Sequence, residues 1–122
     1  MTPSSSELPA SELHVTCEWR EKAAVLSVSG EIDLLSAPEF EDVVAGALAR
    51  EPAVLVVDLR KVTFLCSAGL QVLASAHRRL ADGQVRVVSD ATVTTRPFTS
   101  TGLDAWINVF PTLEMALGTG SS

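Results

Sequence analysis

The chain has 122 residues, 15 acidic against nine basic, a formal charge of −6, a hydrophobic content of 47% and no tyrosine. That length fits one domain with one core, made mostly of Val, Leu and Ala. The basic residues form no run, which excludes a binder of nucleic-acid phosphates, and no apolar stretch reaches the length of a membrane span.

The Ser/Pro-rich start has no basic n-region and no apolar h-region, so it does not read as a signal peptide. Residues 1–11 are expected to be a disordered tail, 12–117 the folded domain, and 118–122 a second tail. Leu13, Val15 and Cys17 alternate with polar residues as a first strand. Glu21-Lys22 turns the chain into a second strand carrying Val25, Leu26, Val28 and Ile32, with Gly30 near its end, and the two strands form a hairpin. Ser36-Ala37-Pro38-Glu39 has the form of a capping box. Phe40, Val43, Val44, Ala47 and Leu48 then share one helical face, and Glu51-Pro52 ends that helix.

Val54 to Val57 is apolar on both faces, the pattern of a central, helix-covered strand. Asp58 closes it in a structural role. A short loop follows, and Ser67 or Ala68 starts a second helix that packs Leu70, Val72, Leu73, Ala76 and Leu80 inward and stops at Ala81-Asp82-Gly83. Val85, Val87 and Val88 form the next strand. Thr92 to Thr101 is weakly helical, interrupted by Pro97, with Gly102 as C-cap and Leu103 as its hydrophobic contact. Phe98 and Trp106 read as core or edge packing. Ile107, Val109 and Phe110 suggest a last strand, and Pro111 to Leu117 a last helix. The order β-β-α-β-α-β-α-β-α predicts one α/β domain, a mixed sheet with helices packed mainly on one face.

Ser67 stands where a helix begins, and the plain reading is an N-cap. A phosphate there would add about −1.5 to −2 charges beside free N–H groups, which makes the same hydroxyl a candidate switch. Asp33 reads as a turn residue. Cys17 and Cys66 lie far apart in apolar sequence, with no C-x-x-C and no metal-ligand spacing, so both read as reduced in an intracellular domain. A catalytic Cys66 would want an arginine at position 72, which is Val72, so a small buried hydrophobe is expected. His77, Arg78 and Arg79 read as a solvated basic face able to meet an acidic partner.

Gly30-Glu31-Ile32-Asp33, Ala37-Pro38, Val57-Asp58-Leu59, Phe64-Leu65-Cys66-Ser67-Ala68-Gly69-Leu70 and Thr101-Gly102-Leu103-Asp104 together resemble the STAS domain family. The resemblance spans about Leu13 to Leu117 and falls nearest the bacterial anti-sigma factor antagonists. It implies that Ser67 is phosphorylated by an anti-sigma factor that is also a histidine-kinase-like serine kinase. It further implies that the unphosphorylated form binds that kinase and frees a sigma factor, and that a phosphatase resets the switch. By the same resemblance Asp33, Cys66, Ser67, Ala68, Gly69, Gln71 and Arg78 belong to the partner-binding face, and Asp33 lies near Ser67. Two positions depart from the family pattern: Cys66 replaces an aspartate, and Ala68 replaces a second hydroxyl residue. The implied protein is cytoplasmic, a monomer or weak homodimer, not an enzyme, without metal or cofactor, and ATP belongs to the partner. The alternatives are a STAS scaffold that is never phosphorylated, a nucleotide or small-molecule sensor with a pocket near Asp33 and Ser67, and an enzyme using Cys66 or Ser67.

Overall fold

The computed structural model describes residues 13–80 and 84–118. Five strands, β1 (His14–Arg20), β2 (Ala23–Ile32), β3 (Val54–Leu65), β4 (Gln84–Val88) and β5 (Asn108–Phe110), lie in the spatial order β1-β2-β3-β4-β5. The β1–β2 hairpin is antiparallel and every other pair is parallel, so the sheet is mixed. Four helices connect and close it: α1 (Ala37–Leu48), α2 (Ser67–Arg79), α3 (Thr92–Thr101) and α4 (Leu113–Leu117).

The main core lies between the sheet and α1, α2 and α3. Leu26, Leu55, Val57, Leu59, Val85 and Val87 meet Phe40, Val44, Leu70, Leu73, Ala76 and Phe98 there. Among the described residues only α4 covers the other face, where Ala116 seals Val25, Val56 and Val88. Helices thus sit mainly on one face. Burial of β3 residues from both sides explains the unbroken apolar run at Val54–Val57.

Several expectations need correction. β3 does not end at Asp58 but runs to Leu65, and only Cys66 separates it from α2. Between Ser27 and Ile32 the partner strand advances from Asp58 to Leu65 with two register shifts, so β3 bulges twice against β2. Its buried residues there are Leu59, Val62 and Leu65, a spacing of three that hides a strand from any two-residue template. Pro97 does not interrupt α3, which passes through it with Phe98 fully buried as anchor. Trp106 is exposed rather than packed, and Cys17 is exposed on β1 rather than apolar in setting. Gly102 does cap α3, at φ 81°. Gly118 is no tail residue but the left-handed C-cap of α4. Residues 1–11 and 119–122, and the Ala81-Asp82-Gly83 stop, lie outside the described residues.

Candidate functional site

The carboxyl ends of β2, β3 and β4 point the same way, and the chain leaves each of them into a helix start. Cys66 N–H donates to Ile32 O at 2.9 Å, tying the entry of α2 to the end of β2. Gly69 lets the two approach closely: a Cβ there would lie 2.6 Å from Ile32 Cγ2 and 2.9 Å from Leu65 Cδ1. These contacts bring the turn after β2 beside the first turn of α2.

That turn is built by Asp33. Its Oδ1 accepts from Leu35 N–H at 3.0 Å and Ser36 N–H at 2.9 Å. Ser36 Oγ donates to Glu31 O at 2.7 Å and accepts from Asp33 N–H at 2.9 Å. The capping box expected at Ser36 is therefore not made: its hydroxyl looks back to the strand, and α1 begins without a side-chain cap. The Ser36 N–H is the main reason the Asp33 carboxyl lies below the usual carboxylate range, with Leu35 N–H adding to it. Asp33 is a turn residue, as its sequence setting suggests.

Ser67 is not the N-cap of α2. Cys66 holds that position, extended at φ −91° and ψ 172°, and its thiol makes no capping hydrogen bond. Ser67 is the first helical residue and is exposed, and no described residue hydrogen-bonds its hydroxyl. Cys66 is half-buried rather than a core residue. The first turn of α2 has no acidic side chain, while His77, Arg78 and Arg79 occupy its last turn. Gly69 N–H and Leu70 N–H both donate to Cys66 O, at 3.1 and 3.2 Å, which leaves the Ser67 and Ala68 N–H groups and the partial positive charge of the helix start for an acceptor from outside.

The structure gathers Asp33, Cys66, Ser67, Ala68 and Gly69 at this end. Gln71 and Arg78 lie further along α2, where they line an open groove of about 610 Å³ between α1 and α2 with Leu34, Ala37, Pro38 and Ala68. Neither Asp33 nor Ser67 lines that groove. Asp58 sits elsewhere, mid-strand in β3, paired with Arg60 Nη2 at 2.7 Å and Nε at 2.9 Å.

Sequence reasoning missed the exposed apolar residues at this end of the sheet. Among the described residues, Leu34 is 75% exposed, Leu35 72%, Phe64 47% and Val93 45%. All four stand at the carboxyl end of the parallel strands, in the turn after β2, the end of β3 and the start of α3. One signal was available: Leu34-Leu35 falls inside a turn between Asp33 and Ser36, where two large apolar residues have no core to enter.

A family model described as the STAS domain matches residues 14–116. The chain belongs to the STAS domain family. STAS relatives include the anti-sigma-F factor antagonist RsfB of Mycobacterium tuberculosis, 39% identical over 104 residues that cover 84% of this chain and 85% of RsfB. The crystal structure of an anti-sigma factor antagonist from Mycobacterium paratuberculosis superposes with a TM-score of 0.86 at 37% identity, covering 93% of this chain and 97% of that one. Phosphorylated SpoIIAA, a Bacillus cell fate determinant, shares the STAS fold at 17% identity, with a TM-score of 0.67 and coverage of 87% and 98%.

Proposed function

We propose that this STAS domain is an anti-sigma factor antagonist, a cytoplasmic binding module with no catalysis of its own. Unmodified, it docks an anti-sigma factor through the end of the sheet around Ser67 and so releases a sigma factor. The observation that carries this reading is an exposed, unengaged hydroxyl at the first residue of α2, at the same end of the sheet as the exposed Leu34, Leu35, Phe64 and Val93. Isolated exposed leucines are ordinary, but four large apolar residues converging on one end of a sheet mark an interaction surface. The 39% identity with RsfB over most of both chains supports the kind of partner.

The same arrangement supports control by phosphorylation. The acceptor hydroxyl is accessible to a kinase partner, which would supply the ATP, and to a phosphatase that resets it. Transfer of the γ-phosphoryl group of ATP to Ser67 Oγ would leave ADP and place two negative charges inside an apolar contact. Desolvating that phosphate is costly, and the open N–H groups of α2 would turn to it instead of to the partner. Binding would then be lost without refolding. Cys66 in place of an aspartate leaves a phosphate on Ser67 without a like charge at the preceding residue.

The test is recovery of partners from the native cytoplasm with wild type, Ser67→Ala and Ser67→Asp. An anti-sigma factor retained by the first two and lost by Ser67→Asp is the expected result. Equal recovery by all three would remove Ser67 as the control point, and recovery of no anti-sigma factor by any would remove the antagonist reading.

A further inference from the structure

β2 ends on Ile32, which is fully buried, and α1 starts from Ser36 and Ala37, which are buried too. Between these anchors the chain carries Leu34 and Leu35 in the open, and neither joins a core cluster. Four side-chain hydrogen bonds hold this short stretch: Asp33 Oδ1 accepts from Leu35 N–H and Ser36 N–H, while Ser36 Oγ accepts from Asp33 N–H and donates to Glu31 O. Asp33 and Ser36 thus clasp each other, each side chain on the other's backbone. Backbone bonds carry the clasp into α1, where Ala37 N–H donates to Asp33 O at 2.8 Å and Phe40 N–H to Ser36 O at 3.0 Å.

A helix start alone does not ask for this arrangement. A hydroxyl at Ser36 is placed to cap α1, yet it turns back to the strand and α1 has no side-chain cap. What the clasp does produce is a fixed backbone beneath two apolar side chains, which a looser turn would let fold against the protein's own surface. Fixing a binding segment beforehand lowers the ordering cost that association has to meet.

We propose that Ser36 is a positioning residue of the docking surface: with Asp33 it holds Leu34 and Leu35 in the outward arrangement that an apolar recess of the anti-sigma factor receives. The proposal rests on the antagonist reading above and adds the chemistry of the partner's contact. Ser36 is only 2% exposed, so it touches nothing on the partner and acts through the leucines.

A double-mutant cycle by isothermal titration tests this, using the full chain and the purified anti-sigma factor that the wild-type chain recovers. Ser36→Ala should weaken binding at least about fivefold. In a chain that already carries Leu34→Ser and Leu35→Ser, the same change should alter affinity less than about twofold. Amide hydrogen exchange should quicken at Asp33 and Leu35 in Ser36→Ala, while the core strands keep wild-type protection. A loss of the same size without the leucines would make Ser36 a general structural residue and overturn the proposal, as would wild-type affinity in Ser36→Ala. Those results leave the antagonist reading standing, whereas a wild-type chain that binds no anti-sigma factor overturns both. If Ser36→Ala does not fold, Asp33→Ala opens the other half of the clasp from outside the core and is read in the same cycle.

Discussion

A methyl group added at Gly69 would sit 2.6 Å from Ile32 Cγ2 and 2.9 Å from Leu65 Cδ1, inside the contact between α2 and the ends of β2 and β3. Both neighbours are buried, so neither can swing away. Gly69→Ala should cost about 1–3 kcal/mol in urea unfolding and displace the Ser67 turn. Gly46 is the control: it lies within α1 with nothing within 4 Å of a Cβ, so Gly46→Ala should stabilise by about 0.5–1 kcal/mol. Asp58 is the other residue whose setting decides its chemistry. Burial alone would raise its carboxyl, but hydrogen bonds from the Arg60 side chain and backbone, with the charges of Arg60 and Lys61, outweigh that and hold it below the usual range. A carboxyl depressed in the folded state adds stability above its unfolded value near 3.9, and that stability is lost as pH falls through the folded value. Asp58→Asn should therefore cost about 1–2 kcal/mol at neutral pH, discounted because Arg60 is partly open to solvent. In acid unfolding, the difference from wild type should close below about pH 3.9. A difference that persisted unchanged at pH 2 would point to packing rather than charge.

At the scale of the element, α2 and α4 begin in opposite ways. Thr112 Oγ1 accepts from Met115 N–H at 3.2 Å and caps α4. Nothing caps α2 through a side chain. Thr112→Ala should cost about 0.5–2 kcal/mol, whereas Ser67→Ala should stay within about 0.5 kcal/mol of wild type. Paired denaturant titrations read both. A large loss from Ser67→Ala would return Ser67 to the ordinary role of a helix cap. The hairpin, α1, the length of α2 and the αL stop at Gly102 were all legible from periodicity and capping residues. The end of β3 was not, because two bulges against β2 space its buried residues by three instead of two. The start of α1 was half legible: Ser36-Ala37-Pro38-Glu39 marks the place, but Asp33 and Glu31 draw the Ser36 hydroxyl away from the helix.

Across the whole molecule, the core and the proposed docking surface are separate. The core lies under α1, α2 and α3 with a smaller one under α4, while Leu34, Leu35, Phe64 and Val93 face outward at one end. Replacing Leu34 and Leu35 by serine should leave unfolding within about 0.5 kcal/mol per site of wild type. The same change should weaken capture of an anti-sigma factor by about tenfold or more, read by isothermal titration. Loss of both stability and binding would assign the pair to the core. By itself the sequence determined a single α/β domain, its order of elements, and Ser67 at the start of a helix, because these follow from local periodicity, turn chemistry and a motif order that spans the chain. Only the tertiary structure decided that Cys66 and not Ser67 occupies the cap, that Asp33 builds the adjacent turn, and that four exposed apolar side chains share the end of the sheet at which α2 begins. Those facts depend on which strand ends lie side by side, and that is settled by register and bulges across β2 and β3, between residues some 30 positions apart in the chain.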